Sequence, residues 1–381
     1  MIIQSENVWV NESFHPYQIE IKNNRINALY SYNEKIVDLD YENKKILPGL
    51  IEIHSHGMKG QDASHATHDW IREWMESLPY EGVTSITPAI STAPEEDILK
   101  SLSIFNEVIK KGYKGSKIIG IYSEGPFVSE KFKGAQDSKY RVIPNKEILD
   151  KYQKASGNRM KYIMVAPEEL DENMTFIQEC TSQGIRVALG HTGATFDICA
   201  KARKAGAISF THTYNGMLGL NHREPGTVGA ALYFDDMYAE LIGDGVHVSK
   251  VAAILLARLK GKDKLISVTD SNRCKGLPLG KINLFGRNII VCEDGVARLE
   301  NGTIAGSANR LNNILKNEIE NFGFDEVLAI NSVTCNPARM LGVDDELGYI
   351  KPDYRADLVV LNTDYSVCQT YIDGVAMIEE S

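Results

Sequence analysis

Short apolar runs alternate with amphipathic stretches through the middle of the chain. Eight runs read as buried strands, at residues 46–54, 84–90, 118–124, 162–166, 186–191, 208–214, 238–243 and 265–270. Between them, residues 67–78, 95–111, 174–183 and 196–205 place apolar side chains at helical spacing. Eight strand–helix repeats in roughly 290 residues predict an α/β fold, a (β/α)8 TIM-like barrel. A doubly wound open sheet is the alternative, but no glycine-rich dinucleotide loop follows the first strand.

The two ends follow another pattern. Residues 8–10, 17–21 and 26–30 are short β-prone runs, with a turn at Lys22-Asn23-Asn24-Arg25. From about Leu347 the pattern returns, with runs at 357–361 and 367–372 before Asp373-Gly374. One small β-sandwich domain built from residues 1–47 and 346–381 is therefore expected, with the barrel spanning 48–345.

Charge and composition narrow the possibilities. The net charge is −10 with no Lys/Arg-rich run, which excludes a nucleic-acid partner but not a phosphorylated small molecule held in a local positive pocket. The six cysteines are scattered, without a CxxC pair or a dense framework, as suits a reducing cytosol. No apolar stretch approaches the ~20 residues that span a membrane, and the N-terminus lacks a signal peptide's basic start and apolar run. The expectation is a cytoplasmic protein with no membrane partner.

Chemistry gathers at the predicted strand ends, where a (β/α)8 barrel carries its active site. His54 and His56 end the first strand, Glu124 the third, His191 the fifth, His212 the sixth and Asp270 the eighth, with His247 just after the seventh. Five of the nine histidines fall at such ends; His15, His65, His68 and His222 lie elsewhere, and most of them are expected on the surface. On a strand, residues i and i+2 share a face, so His54 and His56 could hold one cation together. Glu124, His191 and His212 form a carboxylate-plus-two-imidazole set, the donor chemistry of a hydrolytic divalent site. Asp270, one strand end away, is the natural general base.

These residues carry a resemblance. The chain resembles the N-acetylglucosamine-6-phosphate deacetylases of the amidohydrolase superfamily over essentially its full length. The matching motifs include Pro48-Gly49 with His54-Ser55-His56-Gly57, Ser123-Glu124-Gly125-Pro126-Phe127 with Lys133-Gly134-Ala135, Ala166-Pro167-Glu168 and Gly190-His191-Thr192. Further along stand Thr211-His212-Thr213-Tyr214-Asn215-Gly216-Met217, His222-Arg223-Glu224-Pro225-Gly226, Asp244-Gly245-Val246-His247, Val268-Thr269-Asp270, Gly302-Thr303-Ile304-Ala305-Gly306-Ser307 and Asn336-Pro337-Ala338-Arg339. The Glu-Gly-Pro-Phe, His-Arg-Glu-Pro-Gly and Thr-Ile-Ala-Gly-Ser stretches are specific in combination, whereas His-x-His is shared across the superfamily.

The resemblance implies Glu124, His191 and His212 as the tighter metal site, His54 and His56 as a second, and Asp270 as the catalytic acid/base. It implies one or two divalent ions per subunit, zinc first, with iron, manganese or cobalt as alternatives. Asn215, Gly216, Arg223 and His247 would contact the sugar phosphate, with Arg223 reaching across a homodimer interface. Ala135 and the Ile304-Ala305-Gly306 loop would close over the sugar.

Three stretches depart from the family pattern. Gln136 stands where the family commonly has His, Gly216 where it usually has Ala, and Ser271-Asn272-Arg273-Cys274-Lys275-Gly276 is unusually polar. These positions are expected near the sugar, away from the metal, with Arg273 and Lys275 solvated. The expected reaction is hydrolysis of N-acetyl-D-glucosamine 6-phosphate to glucosamine 6-phosphate and acetate. N-acetylgalactosamine 6-phosphate is the first alternative. A different amidohydrolase, such as an N-acyl amino-acid deacylase, is disfavoured by the phosphate partners Arg223 and His247. An inactive scaffold is disfavoured by the complete ligand set.

Overall fold

The computed structural model describes residues 1–284, 287–300, 302 and 304–379. Eight parallel strands form a nearly closed barrel: β1 (Leu50–Ser55), β2 (Val83–Ile90), β3 (Ile121–Ser123), β4 (Met160–Val165), β5 (Arg186–Leu189), β6 (Ser209–Phe210), β7 (Tyr238–Ile242) and β8 (Leu265–Val268). Alternation assigns their faces. Tyr122, Tyr162, Met164, Tyr238 and Ile242 fill the interior, while Ile163, Val165, Ala239 and Leu241 join the larger apolar layer under the helices.

The helices start where local chemistry dictates. Thr67 caps His68–Ser77 by accepting from the Trp70 amide, and Thr195 caps Phe196–Ala205 through the Ile198 amide. Glu95–Lys111 carries Glu95, Glu96 and Asp97 in its first turn and Lys110 and Lys111 in its last, matching the helix dipole at both ends.

The terminal segments pair into one continuous sheet. Ile2–Val10, Ser13–Lys22 and Arg25–Ser31 from the N-terminus meet Leu358–Leu361 and Val367–Ile372 from the C-terminus through Lys45–Pro48. The single expected strand 46–54 is thus two: Lys45–Pro48 belongs to the terminal sheet and β1 to the barrel. Gly49 makes the transfer, passing so close to Thr84 that a β-carbon there would overlap its side chain.

Two further features differ from expectation. The third strand is interrupted, leaving Lys117–Ile118 and β3 as separate pieces, and β6 has only two residues before the chain turns. Gly280–Leu284, Arg287–Val291, Val296–Leu299 and Ile304–Ser307 form a four-stranded antiparallel sheet inserted after β8, the last strand standing where a loop was expected. Its hairpin signal, Asp294-Gly295, lies between two of its strands.

The barrel's seam between β1 and β8 has no regular ladder. The Glu52 carboxylate spans it, accepting from the amides of His54 at 2.9 Å and Thr269 at 3.2 Å. Beyond it, Asp270 N donates to His54 O, His56 N donates to Ser271 O, and the Ser55 and Ser271 hydroxyls lie 2.8 Å apart.

Behind β8, Glu318 is fully buried and accepts from the Ser267 hydroxyl. Burial pushes its carboxyl up to about 8, against about 4.5 for an exposed glutamate. Between those values the folded chain keeps a proton that the unfolded chain releases. This group's contribution is therefore fully present below about pH 4.5 and declines as pH rises towards 8. Glu318→Gln removes the titration, so the melting temperature of the variant relative to wild type should rise between about pH 5 and pH 8. A difference that stays flat across that range would contradict this reading.

Candidate active site

Six of the expected side chains converge at the C-terminal mouth of the barrel. His54 and His56 meet with their Nε2 atoms 3.3 Å apart, and those of His191 and His212 lie 3.1 Å apart. A register shift of β1 against β2 between Glu52 and Ser55 falls where His54 turns inward. Glu124 stands between the two pairs. Its Oε1 is 3.0 Å from the Nε2 atoms of both His191 and His212, and its Oε2 is 3.4 Å from His56 Nε2. Asp270 Oδ1 is 3.2 Å from His56 Nε2 and 3.5 Å from His54 Nε2.

The site's backbone is unusual as well. His191, His212 and Asp270 have φ values of 45°, 30° and 46°, a region that side-chain-bearing residues rarely adopt. Such conformations cost on the order of 1–3 kcal/mol each and cluster at functional sites, where packing enforces them.

Protons on three of the four rings are fixed by what lies behind them, whereas the buried His212 Nδ1 has no hydrogen-bond partner among the described residues. His191 Nδ1 donates to the Phe132 carbonyl at 2.8 Å, and His56 Nδ1 faces the Ala89 carbonyl at 3.0 Å. His54 Nδ1 lies 2.8 Å from Glu240 Oε2. Each contact occupies Nδ1 and turns the Nε2 lone pair inward, as metal-binding histidines require. Glu240 also accepts from the Tyr162 hydroxyl at 2.7 Å and the His212 amide at 3.0 Å, so it orients both histidine pairs. It was not anticipated from sequence, although a lone acid in the apolar strand Tyr238-Ala239-Glu240-Leu241-Ile242 is a visible anomaly.

The electrostatics call for positive charge. Burial opposes ionisation of His56 and His212, yet the neighbouring carboxylates Glu124 and Asp270 push both up to about 9. Burial likewise opposes charge on Asp270, but His54 and His56 pull it down to about 2, and the histidines hold Glu124 well below the usual carboxylate range. Buried carboxylates facing inward imidazole lone pairs are matched by a divalent cation as well as by protons. Two groups could each hold an ion: Glu124, His191 and His212, and His54, His56 and Asp270.

The expected sugar-phosphate residues are placed unequally. Asp244 accepts from the His247 amide and holds His247 Nδ1 at 2.6 Å, leaving its Nε2 without a hydrogen-bond partner among the described residues and the ring close enough to Asp270 and His212 to feel their charges. Asn215 lies three residues after His212, its amide donating to the His212 carbonyl. Gly306, at φ 117°, lets the inserted sheet press against Asn272. Ala135 and Ile304 are exposed; Thr303 and the side chain of Ala305 lie outside the described residues. Arg223 stands apart: it is exposed, and its guanidinium has no carboxylate partner among the described residues.

The departures from the family pattern do not all sit where expected. Gln136 Nε2 donates to Glu124 Oε2 at 3.0 Å, so it touches a candidate metal ligand. Gly216, at φ 59°, backs onto His191, and a β-carbon there would lie 2.9 Å from His191 Nδ1. Lys275 is not solvated but buried, its Nζ 2.6 Å from Glu81, and Arg273 pairs with Asp62. The long side chains fold back to anchor the segment after β8.

Comparison with known proteins extends this picture. The amidohydrolase family profile matches residues 46–377. An N-acetylglucosamine-6-phosphate deacetylase from Bacillus subtilis is 36% identical, covering 86% of this chain and 83% of that protein. An N-acetylgalactosamine-6-phosphate deacetylase from Escherichia coli O157:H7 is 33% identical over 97% of this chain and 96% of its own length. Among solved structures, the N-acetyl-D-glucosamine-6-phosphate deacetylase of Mycobacterium smegmatis superposes with a TM-score of 0.91 at 28% identity, covering 100% of this chain and 99% of its own. The chain belongs to the amidohydrolase family and, within it, to the N-acetylglucosamine-6-phosphate deacetylases.

Proposed function

We propose that the protein hydrolyses the N-acetyl group of N-acetyl-D-glucosamine 6-phosphate, giving D-glucosamine 6-phosphate and acetate, as a cytoplasmic enzyme. The observation that carries this reading is the buried Glu124, facing two histidine pairs with Asp270 beside it. Glu124, His191 and His212 hold the tighter divalent ion, with zinc the best match to this donor set, and His54 and His56 serve a second. When bound, the ion acidifies a water and polarises the amide carbonyl.

The chain's own groups do the rest. Asp270 takes a proton from the attacking water and returns it to the departing amine nitrogen. Asp244 fixes His247 so that its free Nε2 meets the substrate, alongside Asn215 and Gly216. Ala135 and Ile304, Ala305 and Gly306 close over the sugar. The guanidinium of Arg223, exposed and without a carboxylate partner among the described residues, and the exposed apolar Leu220 three residues before it support a homodimer in which Arg223 of the partner subunit reaches the phosphate.

N-acetylgalactosamine 6-phosphate is the second reading, favoured by the near-complete coverage of the E. coli relative. Acetate release from N-acetylglucosamine and N-acetylgalactosamine, each with and without a 6-phosphate, tests both. The first reading expects N-acetylglucosamine 6-phosphate to be turned over best. Preference for the galactosamine epimer would select the second, and indifference to phosphate would overturn both.

Arg223→Ala should raise KM for the phosphorylated substrate by roughly one to two decades, since a charge-assisted contact to phosphate contributes about 1.5–3 kcal/mol. The unphosphorylated analogue should be unaffected. Mixing Arg223→Ala with Asp270→Asn protein should restore activity, because one hybrid site then carries both wild-type residues. Equal losses with both substrates would make Arg223 structural, and no rescue after verified subunit exchange would refute a shared site.

A further inference from the structure

The side chain of Gln136 is held at both ends. Its Oε1 accepts from the Thr92 amide at 3.0 Å and from the Thr92 hydroxyl, and its Nε2 donates to Glu124 Oε2 at 3.0 Å. This fixes the amide's orientation: a backbone N–H must face the oxygen, and an ionised carboxylate must face the nitrogen. The main chain of Gln136 is held too, its amide donating to the Lys133 carbonyl and its carbonyl accepting from Lys133 Nζ at 3.2 Å. Gly125 makes room for the arrangement, since a β-carbon there would lie 2.6 Å from Gln136 Oε1 and closer still to Thr92 Oγ1.

We propose that Gln136, clamped by Thr92, is a positioning residue for Glu124: it ties down one carboxylate oxygen so that the other is presented to the His191 and His212 nitrogens, and thereby sets that cluster's affinity for a divalent cation. Two observations favour this role. Glu124 Oε1 is equidistant, at 3.0 Å, from both Nε2 atoms, which needs a fixed carboxylate plane. Gln136 is also a neutral donor, so it orients Glu124 without cancelling the charge that attracts the ion. Outer-shell partners of this kind typically govern about 10- to 100-fold in metal affinity. The inference rests on the reading of Glu124 as a metal ligand.

The test is zinc affinity of the full chain, measured by competition with a chromophoric chelator using the metal alone. Gln136→Met keeps length and removes the amide, and Thr92→Val keeps shape and removes the hydroxyl. Gln136→Met should weaken zinc binding by about 10- to 100-fold, and Thr92→Val by a smaller factor. The double variant should bind no more weakly than Gln136→Met, because both changes break one chain of contacts. Glu124→Gln is the control: if the tighter zinc-binding event persists with unchanged affinity and stoichiometry, the metal-site reading itself fails, whereas zinc left only at the His54 and His56 pair does not count as retention. If Glu124→Gln loses zinc while Gln136→Met binds within twofold of wild type, Gln136 is not a positioning residue. A raised KM with unchanged zinc affinity in Gln136→Met would instead make it a substrate contact and overturn the proposal. Should Gln136→Met fail to fold, Thr92→Val decides: zinc affinity equal to wild type would overturn the proposal, and a loss would uphold it.

Discussion

Asp270→Asn should fold like wild type, keep an ion at Glu124, His191 and His212, and lose about 10²- to 10⁴-fold in turnover, the range carried by a positioned proton-transfer group. Asparagine is the right probe for two reasons. Asp270 has φ 46°, which Asn tolerates better than Ala, so backbone strain does not confound the result. Asn also keeps the shape of the carboxylate while being unable to accept the water's proton. The one metal-related loss expected is at the His54 and His56 pair, which Asp270 Oδ1 approaches within 3.5 Å. Single-turnover acetate release with metal content measured on the same sample checks this. Turnover near wild type would remove Asp270 from the chemistry.

His191→Gln or His212→Ala should release the tighter ion and abolish measurable activity. Each removes one of three donors, and the carboxylate left behind faces a buried space with less positive charge to balance it. Elemental analysis of the purified variants decides: unchanged metal content without His191 would mean the ligand set is wrong. His54 and His56 should matter less if one ion suffices for turnover, and His56→Asn is the cleaner probe of the pair. Replacing His54 would also strand the fully buried Glu240, whose loss of a partner carries its own stability penalty of about 3–5 kcal/mol.

Much of this site was legible in the chain because barrels place chemistry at strand ends, and the apolar runs mark where strands end. His54, His56, Glu124, His191, His212 and Asp270 were found in this way, and the structure gathers all six. What escaped was whatever depends on a second element. Glu240 points inward from the middle of β7, where hydrophobic patterning registers only an exception. Gln136 lies in a loop whose path to Glu124 is set by Gly125 and Thr92, contacts far apart in sequence. The strand expected at 208–214 stops at Phe210, since His212 and Tyr214 take left-handed backbone conformations that no residue preference announces. Lys275 looked solvated because its partner Glu81 lies nearly two hundred residues earlier in the chain.

The seam between β1 and β8 ties the candidate site to closure of the barrel. His54 and Asp270 sit on opposite sides of it, joined by the Asp270 N–H to His54 carbonyl bond, with Glu52 bridging just beneath. A chain that had formed its helices and seven of its strand junctions would show a native far-ultraviolet spectrum, yet Asp270 and His54 would belong to two separate edges. Catalysis is thus a stricter reporter of barrel closure than any measure of secondary structure, and under mild denaturant activity should vanish before helicity does.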